Sequence, residues 1–178
     1  MLVIYSKLGI AASDRDWIER VREAHDPQFQ LIEPHFTLVF PFSDIPADEL
    51  LGHMGVVAAA TPRIRFRLKH LGVVRDQLGS GSHLFLLPVE GEGAIRSLHA
   101  RLYSDVLAPK LHPTIPFVPH VTVGAFDQHE DAERLATSLR DVAIDGVLEA
   151  VHLAEFDGAI LTELERSDLA PPTSWVGA

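Results

Sequence analysis

One short pattern occurs twice in this chain and limits what it can fold into: Pro34-His35-Phe36-Thr37-Leu38 and Pro119-His120-Val121-Thr122-Val123, with the histidines 85 positions apart (120 minus 35). Each copy is a β-forming apolar run opened by proline and histidine. Strand side chains alternate between faces, so His35 and Thr37 share one face and Phe36 and Leu38 the other. His120 and Thr122 are set against Val121 and Val123 in the same way. Each copy thus has an apolar side to bury and an imidazole and hydroxyl to present. His-x-Thr followed by an apolar residue is a weak pattern in a chain with ten histidines, and a third match stands at His112-Pro113-Thr114-Ile115. That match carries Pro113 and Pro116, which deny a strand its ladder bonds. It also has no partner at the repeat spacing. Requiring proline before the histidine cuts chance matches about twentyfold, proline being about 5% of residues. Only His35 and His120 pass.

The elements around the two copies also recur in order. Residues 2–5 read as a strand. Ser13 or Asp14 caps a helix through Trp17, Ile18, Val21 and Arg22, which Asp26-Pro27 ends. The first motif strand spans 35–40. A helix over 45–60 and a hairpin of strands 64–74 and 83–89 follow. The second round begins with a helix through Ile95, Leu98, Leu102 and Val106, then an extended connector over 110–119. The motif strand at 120–125 comes next, then a helix capped from Asp127 and running through Leu139. A hairpin of strands 147–156 and 159–164 turns at Asp157-Gly158, a pair favoured in tight turns. Ile64 shifted by the repeat spacing lands on Glu149, inside that last hairpin. The expected fold class is α+β: two pseudo-twofold-related lobes with mostly antiparallel sheets flanking a central cleft. The expected organisation is one bilobal domain, 1–168, with interleaved lobes, and a C-terminal tail, 169–178.

Composition narrows the chemistry. The chain has no cysteine, which excludes disulfides, zinc-thiolate sites and a thiol nucleophile. Fifteen Lys and Arg stand against 25 Asp and Glu, a formal net charge of −10. Such a surface repels polyanions, so long nucleic acid is not an expected partner. A small or terminal phosphate remains compatible, because a local pocket can be positive on an acidic protein. The first residues lack a basic region followed by a long apolar run, and no stretch approaches the length of a membrane span. The expectation is a cytoplasmic monomer with no membrane association.

If the two motif faces meet across the cleft, two imidazoles and two hydroxyls converge. That set suits attack on a phosphodiester. A neutral histidine takes a proton from the attacking water, and a protonated one gives a proton to the leaving oxygen. The ordinary histidine pKa of about 6.5 makes both forms accessible near neutrality. Threonine hydroxyls can donate to non-bridging phosphate oxygens. No metal or other cofactor is required by this scheme.

The paired motifs resemble those of the 2H phosphoesterase superfamily, in its bacterial LigT-like branch, and the order of elements extends the resemblance over roughly residues 2–164. The resemblance implies a bilobal α+β fold, catalytic roles for His35 and His120, and phosphate binding by Thr37 and Thr122. It implies cleavage of cyclic phosphodiesters, either RNA ends bearing a 2′,3′-cyclic phosphate or small cyclic nucleotides. Two other readings stand beside it: a nucleotide- or RNA-end-binding module with little catalysis, and 2′-5′ RNA end joining as the reverse of hydrolysis.

The remaining candidates have plainer readings. His25, His53, His99 and His129 lie on or beside helices and are expected at the surface. His70, His83 and His152 sit on hairpin strands and could line the cleft. Gly79-Ser80-Gly81-Ser82 could cradle a phosphate or be a hairpin loop. Arg63, Arg65, Arg67 and Lys69 form a basic stripe at strand spacing that reads as a solvated face, with Arg75 nearby. Phe40 and Phe42 could stack on a base. Core packing is the expectation for Phe40, and Phe42 is left open. Tyr103 reads as helix packing.

Overall fold

The computed structural model describes residues 1–76, 79–139 and 141–171. Two antiparallel sheets carry the fold. Their strands are β1 (Leu2–Lys7), β2 (Gly9–Ile10), β3 (His35–Phe42), β4 (Ile64–Arg75), β5 (Ser82–Glu90), β6 (Val121–Phe126), β7 (Ile144–Leu148), β8 (Ala150–Phe156) and β9 (Leu161–Asp168). One sheet runs β3-β1-β8-β9 and the other β2-β7-β4-β5-β6. Each motif strand lies at the edge of its sheet: β3 borders β1, and β6 borders β5. The alternation predicted for the motifs holds, because Phe36, Leu38, Val121 and Val123 are all fully buried. Burying side chains of this size stabilises the fold by about 1.5–3 kcal/mol each.

Four α-helices, α1 (Ala12–His25), α2 (Ala47–Ala59), α3 (Glu92–Leu102) and α4 (His129–Ser138), cover the sheets. α2 lies on β8 and β9, and α4 on β4, β5 and β6. The other two lie between the motif strands: α1, which follows β2, packs against β6, while α3, which follows β5, packs against β3 of one sheet and β4 and β5 of the other. The expected α+β class with mostly antiparallel sheets is therefore present. No helix among the described residues is long and apolar enough to cross a membrane.

Several local expectations are corrected. α1 starts at Ala12 behind an uncapped Ala11, so neither Ser13 nor Asp14 is its N-cap. Asp14 instead places its charge in the first turn, where the helix dipole favours it. α4 starts within the expected 127–131 stretch, behind Gln128, but without a side-chain cap, and it stops at Ser138, short of Leu139. α3 stops at Leu102, short of Val106, and a 3-10 helix takes residues Asp105–Lys110, where Asp105 adopts φ +48°. The single strand expected over 147–156 is two strands in different sheets, divided at Glu149. Leu148 pairs with Ile64 in one sheet, whereas Ala150 pairs with Asp168 in the other. This is where the chain returns to the sheet that holds β1.

The last turn forms as expected. The Asp157 carboxylate accepts the N–H groups of Ala159 and Ile160, and Gly158 supplies φ +106°. Beyond β9 the chain stays packed. Leu169 is buried, and Ala170 exchanges backbone bonds with Thr61 and Arg63. The rest of the expected tail, 172–178, and residues 77 and 78 of the turn at 76–82 lie outside the described residues.

Candidate active site

The two motif strands touch where the sheets meet. His35 opens β3 and His120 immediately precedes β6, and the two histidines singled out by the repeat lie near enough for the charge of one to act on the other. Their surroundings match. The Nδ1–H of His35 donates to the carbonyl of Glu33 at 2.9 Å, and that of His120 to the carbonyl of Val118 at 2.6 Å, in both cases two residues upstream. A carbonyl can only accept, so both neutral rings carry their proton on Nδ1 and leave Nε2 as the basic nitrogen. The Thr37 hydroxyl lies 3.1 Å from Nε2 of His35. Pro34 and Pro119 are buried and fix the entry of each strand.

An aromatic side chain faces each motif threonine from the neighbouring strand. Tyr5 pairs with Thr37 across β1 and β3, and Phe85 with Thr122 across β5 and β6. Tyr5 meets the edge of His35 with ring centroids 5.5 Å apart, and Phe85 stacks on His120 at 3.7 Å. Burial pushes both imidazoles down, His35 to about 4. The charges of Arg22 and His120 lower His35 further, while the Glu33 carbonyl opposes the shift. Both rings are therefore neutral in the unliganded protein near pH 7.

The halves differ in what surrounds these aromatics. Lys7 pairs with His35 in the ladder and lies between Glu33 at 3.1 Å and Glu163 at 3.0 Å. Glu163 also accepts the Tyr5 hydroxyl at 3.2 Å and faces the buried His152, which stacks on Tyr5. Burial and Glu163 together push the Tyr5 phenol well above its ordinary range. On the other side, His83 stacks on Phe85 and sits 3.5 Å from Asp76. Sequence reasoning took Tyr5 only as a strand residue and missed Lys7 and Phe85. Only the cross-strand register identifies them.

The other candidates separate. His112 is exposed and binds locally to Thr114, outside any strand. His70 is exposed, His25 is half-buried against Phe126, and His129 bonds Ser82. His53 and His99 were expected at the surface, and both are corrected. The His53 side chain is 8% exposed and bonds the Leu102 carbonyl, and His99 is buried against Phe117. The basic stripe is a solvated face: Arg67 pairs with Asp145 and Glu90, and Arg63 with Glu149. Gly81 turns at φ +99° in the β4–β5 hairpin loop. Phe40 is 40% exposed, against the expectation of core packing, and Phe42 is buried. The β1–β3 register slips around Leu38, so the alternation established at His35 does not continue to Phe40. Among the described residues no group of three or more His, Cys, Asp or Glu side chains is arranged to hold a metal ion.

A family model described as the 2′-5′ RNA ligase superfamily matches residues 10–159. A Bacillus pumilus (strain SAFR-032) protein, provisionally named a phosphoesterase, is 31% identical over 145 residues, covering 78% of this chain and 80% of that protein. A Geobacillus thermodenitrificans (strain NG80-2) protein with the same provisional name is 30% identical over 112 residues, 62% of this chain, and the match spans 61% of that protein's length. Among solved structures, a Thermus thermophilus protein superposes with a TM-score of 0.61 at 20% identity, over 96% of this chain and 99% of that one. E. coli LigT complexed with 3′-AMP superposes with a TM-score of 0.56 at 18% identity, over 95% of this chain and 97% of that one. At these identities the structural likeness concerns the fold.

Proposed function

Because the chain belongs to the 2′-5′ RNA ligase superfamily of 2H phosphoesterases, we propose that it hydrolyses cyclic phosphodiesters, 2′,3′-cyclic phosphates of RNA ends or small nucleotides, by metal-independent acid–base catalysis with two histidines. The observation that carries this reading is the matched pair: His35 and His120 each fixed through Nδ1 to a carbonyl two residues upstream, each desolvated, at the starts of strands that touch.

In this reading one Nε2 takes the proton of the attacking water while the other ring, protonated, delivers its Nε2 proton to the departing ribose oxygen. Burial leaves both rings neutral before substrate arrives, which readies the base. The acid acquires its proton with the substrate, because the phosphate's negative charge beside an imidazole favours the imidazolium. The hydroxyls of Thr37 and Thr122 donate to the non-bridging oxygens and stabilise the charge that grows there in the transition state. The net charge of −10 favours a compact nucleotide or a terminal phosphate over long RNA. LigT of E. coli has been solved with 3′-AMP, NADP+ and ATP, and nucleotide-sized substrates fit the same view.

The test is hydrolysis of the four nucleoside 2′,3′-cyclic monophosphates and a short RNA ending in a cyclic phosphate, with EDTA present, by the wild type, His35→Ala and His120→Ala. Turnover by the wild type and its loss in both folded variants is expected. Full activity in either variant, or a strict metal requirement, refutes the mechanism. End joining, which the family description favours as a second reading, is the same ring opening with the 5′-hydroxyl of another RNA end in place of water: its oxygen bonds the phosphorus, one imidazole takes its proton, and the 3′-oxygen leaves with a proton from the other. It would show as a new 2′-5′ linkage when a cyclic-phosphate end and a 5′-hydroxyl end are supplied together.

A further inference from the structure

β3 is an edge strand, and beyond its ladder with β1 two of its backbone groups are met by side chains of α3 and the residue that ends it. The Nδ1–H of His99 donates to the Leu38 carbonyl at 2.8 Å, and the N–H of Phe40 donates to the Tyr103 hydroxyl at 3.0 Å. Leu38 directly follows Thr37, so these bonds seize the motif strand immediately after its phosphate-facing residue. The other side of the His99 ring lies flat on Phe117, with centroids 3.7 Å apart and planes within 2°. Phe117 stands three residues before His120, and its carbonyl accepts a bond from Arg96 of the same helix. Val118, the next residue, supplies the carbonyl that fixes the tautomer of His120. One helix face thus grips both motifs, and the His99 side chain touches both grips.

The other half of the molecule has a counterpart. Arg22 of α1 donates to the carbonyl of Ile32, three residues before His35, at 2.6 Å, while α1 itself lies against β6. Each helix holds the run leading into one motif and packs on the strand of the other. α3 and the residue that ends it make the second connection with hydrogen bonds to the motif strand. An aliphatic residue at position 99 would leave the Leu38 carbonyl without this donor, and β3 would be held to this end of α3 by the Tyr103 hydroxyl alone.

We propose that His99 is a positioning residue that sets the separation of His35 and His120 by tying β3 to the run that ends at His120. Its effect on turnover rests on the two-histidine reaction proposed above, whereas its effect on geometry does not. A two-sided proton transfer is sensitive to that separation, since a misplacement of about 1 Å at a reacting centre costs about 100-fold in rate.

The test compares His99→Phe, which keeps a ring over Phe117 and removes the donor, with His99→Asn, which keeps a donor where Nδ1 stands. Crystal structures of both variants and the wild type give the imidazole separation. Steady-state kinetics on a nucleoside 2′,3′-cyclic monophosphate give kcat and KM. In His99→Phe the imidazoles should move apart, and kcat should fall about tenfold or more with KM changed less than about twofold and the pH limbs unmoved. His99→Asn should restore the separation and most of kcat. An unchanged separation in His99→Phe overturns the proposal, as does an unchanged kcat despite a wider gap, or a kcat loss no larger than the loss of folded protein. If the wild type turns over no cyclic phosphate, the reading of function fails, and the crystallographic separation still decides the role of His99.

Discussion

Phe85 lies against the face of His120, with ring centroids 3.7 Å apart and planes 20° from parallel. The contact excludes water from one side of the imidazole, and burial is the first cause of its lowered pKa. Phe85→Ala should rehydrate the ring and move the His120 pKa up toward the ordinary histidine value, as followed by an NMR titration of its ring protons. Phe85 is only part-buried, so a stability loss of about 2 kcal/mol is expected, below the range for full core truncation. A His120 titration identical to wild type would show that Phe85 does not set its protonation.

The burial of His35 has a consequence for acid stability. Its pKa is about 4 in the folded chain and about 6.5 when unfolded. Between those values the unfolded chain binds more protons, so stability rises with pH through this window and is fully present above about 6.5. It is lost as pH falls toward 4. Allowing for partial exposure, the contribution is about 2 kcal/mol. His35→Ala should flatten the dependence of urea midpoint on pH between 4 and 6.5. A slope equal to that of the wild type would contradict the shift.

Catalytic pH dependence follows from the same two rings. Both pKa values are lowered in the free protein, so the protonation state with one neutral and one charged imidazole is most populated on the acid side of neutrality. The bell in kcat/KM should peak below pH 6.5. The alkaline limb of kcat should lie higher, because bound phosphate favours the imidazolium. Steady-state profiles of a cyclic nucleotide measure both. A kcat/KM optimum above pH 7.5 would oppose the assignment of two desolvated histidines.

The motif faces were legible because period-two alternation is local. Phe36 and Leu38 had to oppose His35 and Thr37, and they do. Phe40 misled because the register slip around Leu38 is set by pairing with β1, which the local sequence does not reveal. The apolar run from Val147 to Phe156 concealed a change of sheet at Glu149 because both flanking segments are strands of similar apolar composition. Tyr5 and Phe85 stand far from the motifs in sequence and become neighbours only through strand register. His99 was legible in principle. It falls four residues after Ile95 and next to Leu98 on the buried stripe of α3, and a polar residue on such a stripe needs a partner.

The motif hydroxyls offer a test that leaves the histidines in place. Thr37→Val and Thr122→Val keep shape and β preference while removing one donor each. Each should lower kcat by about 100-fold, the scale found when one transition-state donor is removed, with a smaller effect on KM. Circular dichroism should remain that of the wild type, since both side chains are part-exposed. Wild-type kcat in both variants would remove the threonines from the reaction.

Arg22 couples the core to the site. Its side chain is 2% exposed and sits 2.8 Å from the buried carboxylate of Asp26, with further bonds to Glu19 and to the carbonyls of Gln28 and Ile32. Replacing it with methionine keeps most of the volume but strands the Asp26 carboxylate, and breaking a buried pair in this way costs about 3–5 kcal/mol. Arg22→Met together with Asp26→Leu should recover part of that loss, because no buried charge is left alone. Both variants also remove a positive charge that holds His35 down, and its effect there outweighs the opposing one of Asp26. The His35 pKa, read by NMR in the better-folded double variant, should therefore rise relative to the wild type. Recovery of stability without that rise would separate the role of Arg22 in folding from any influence on the site.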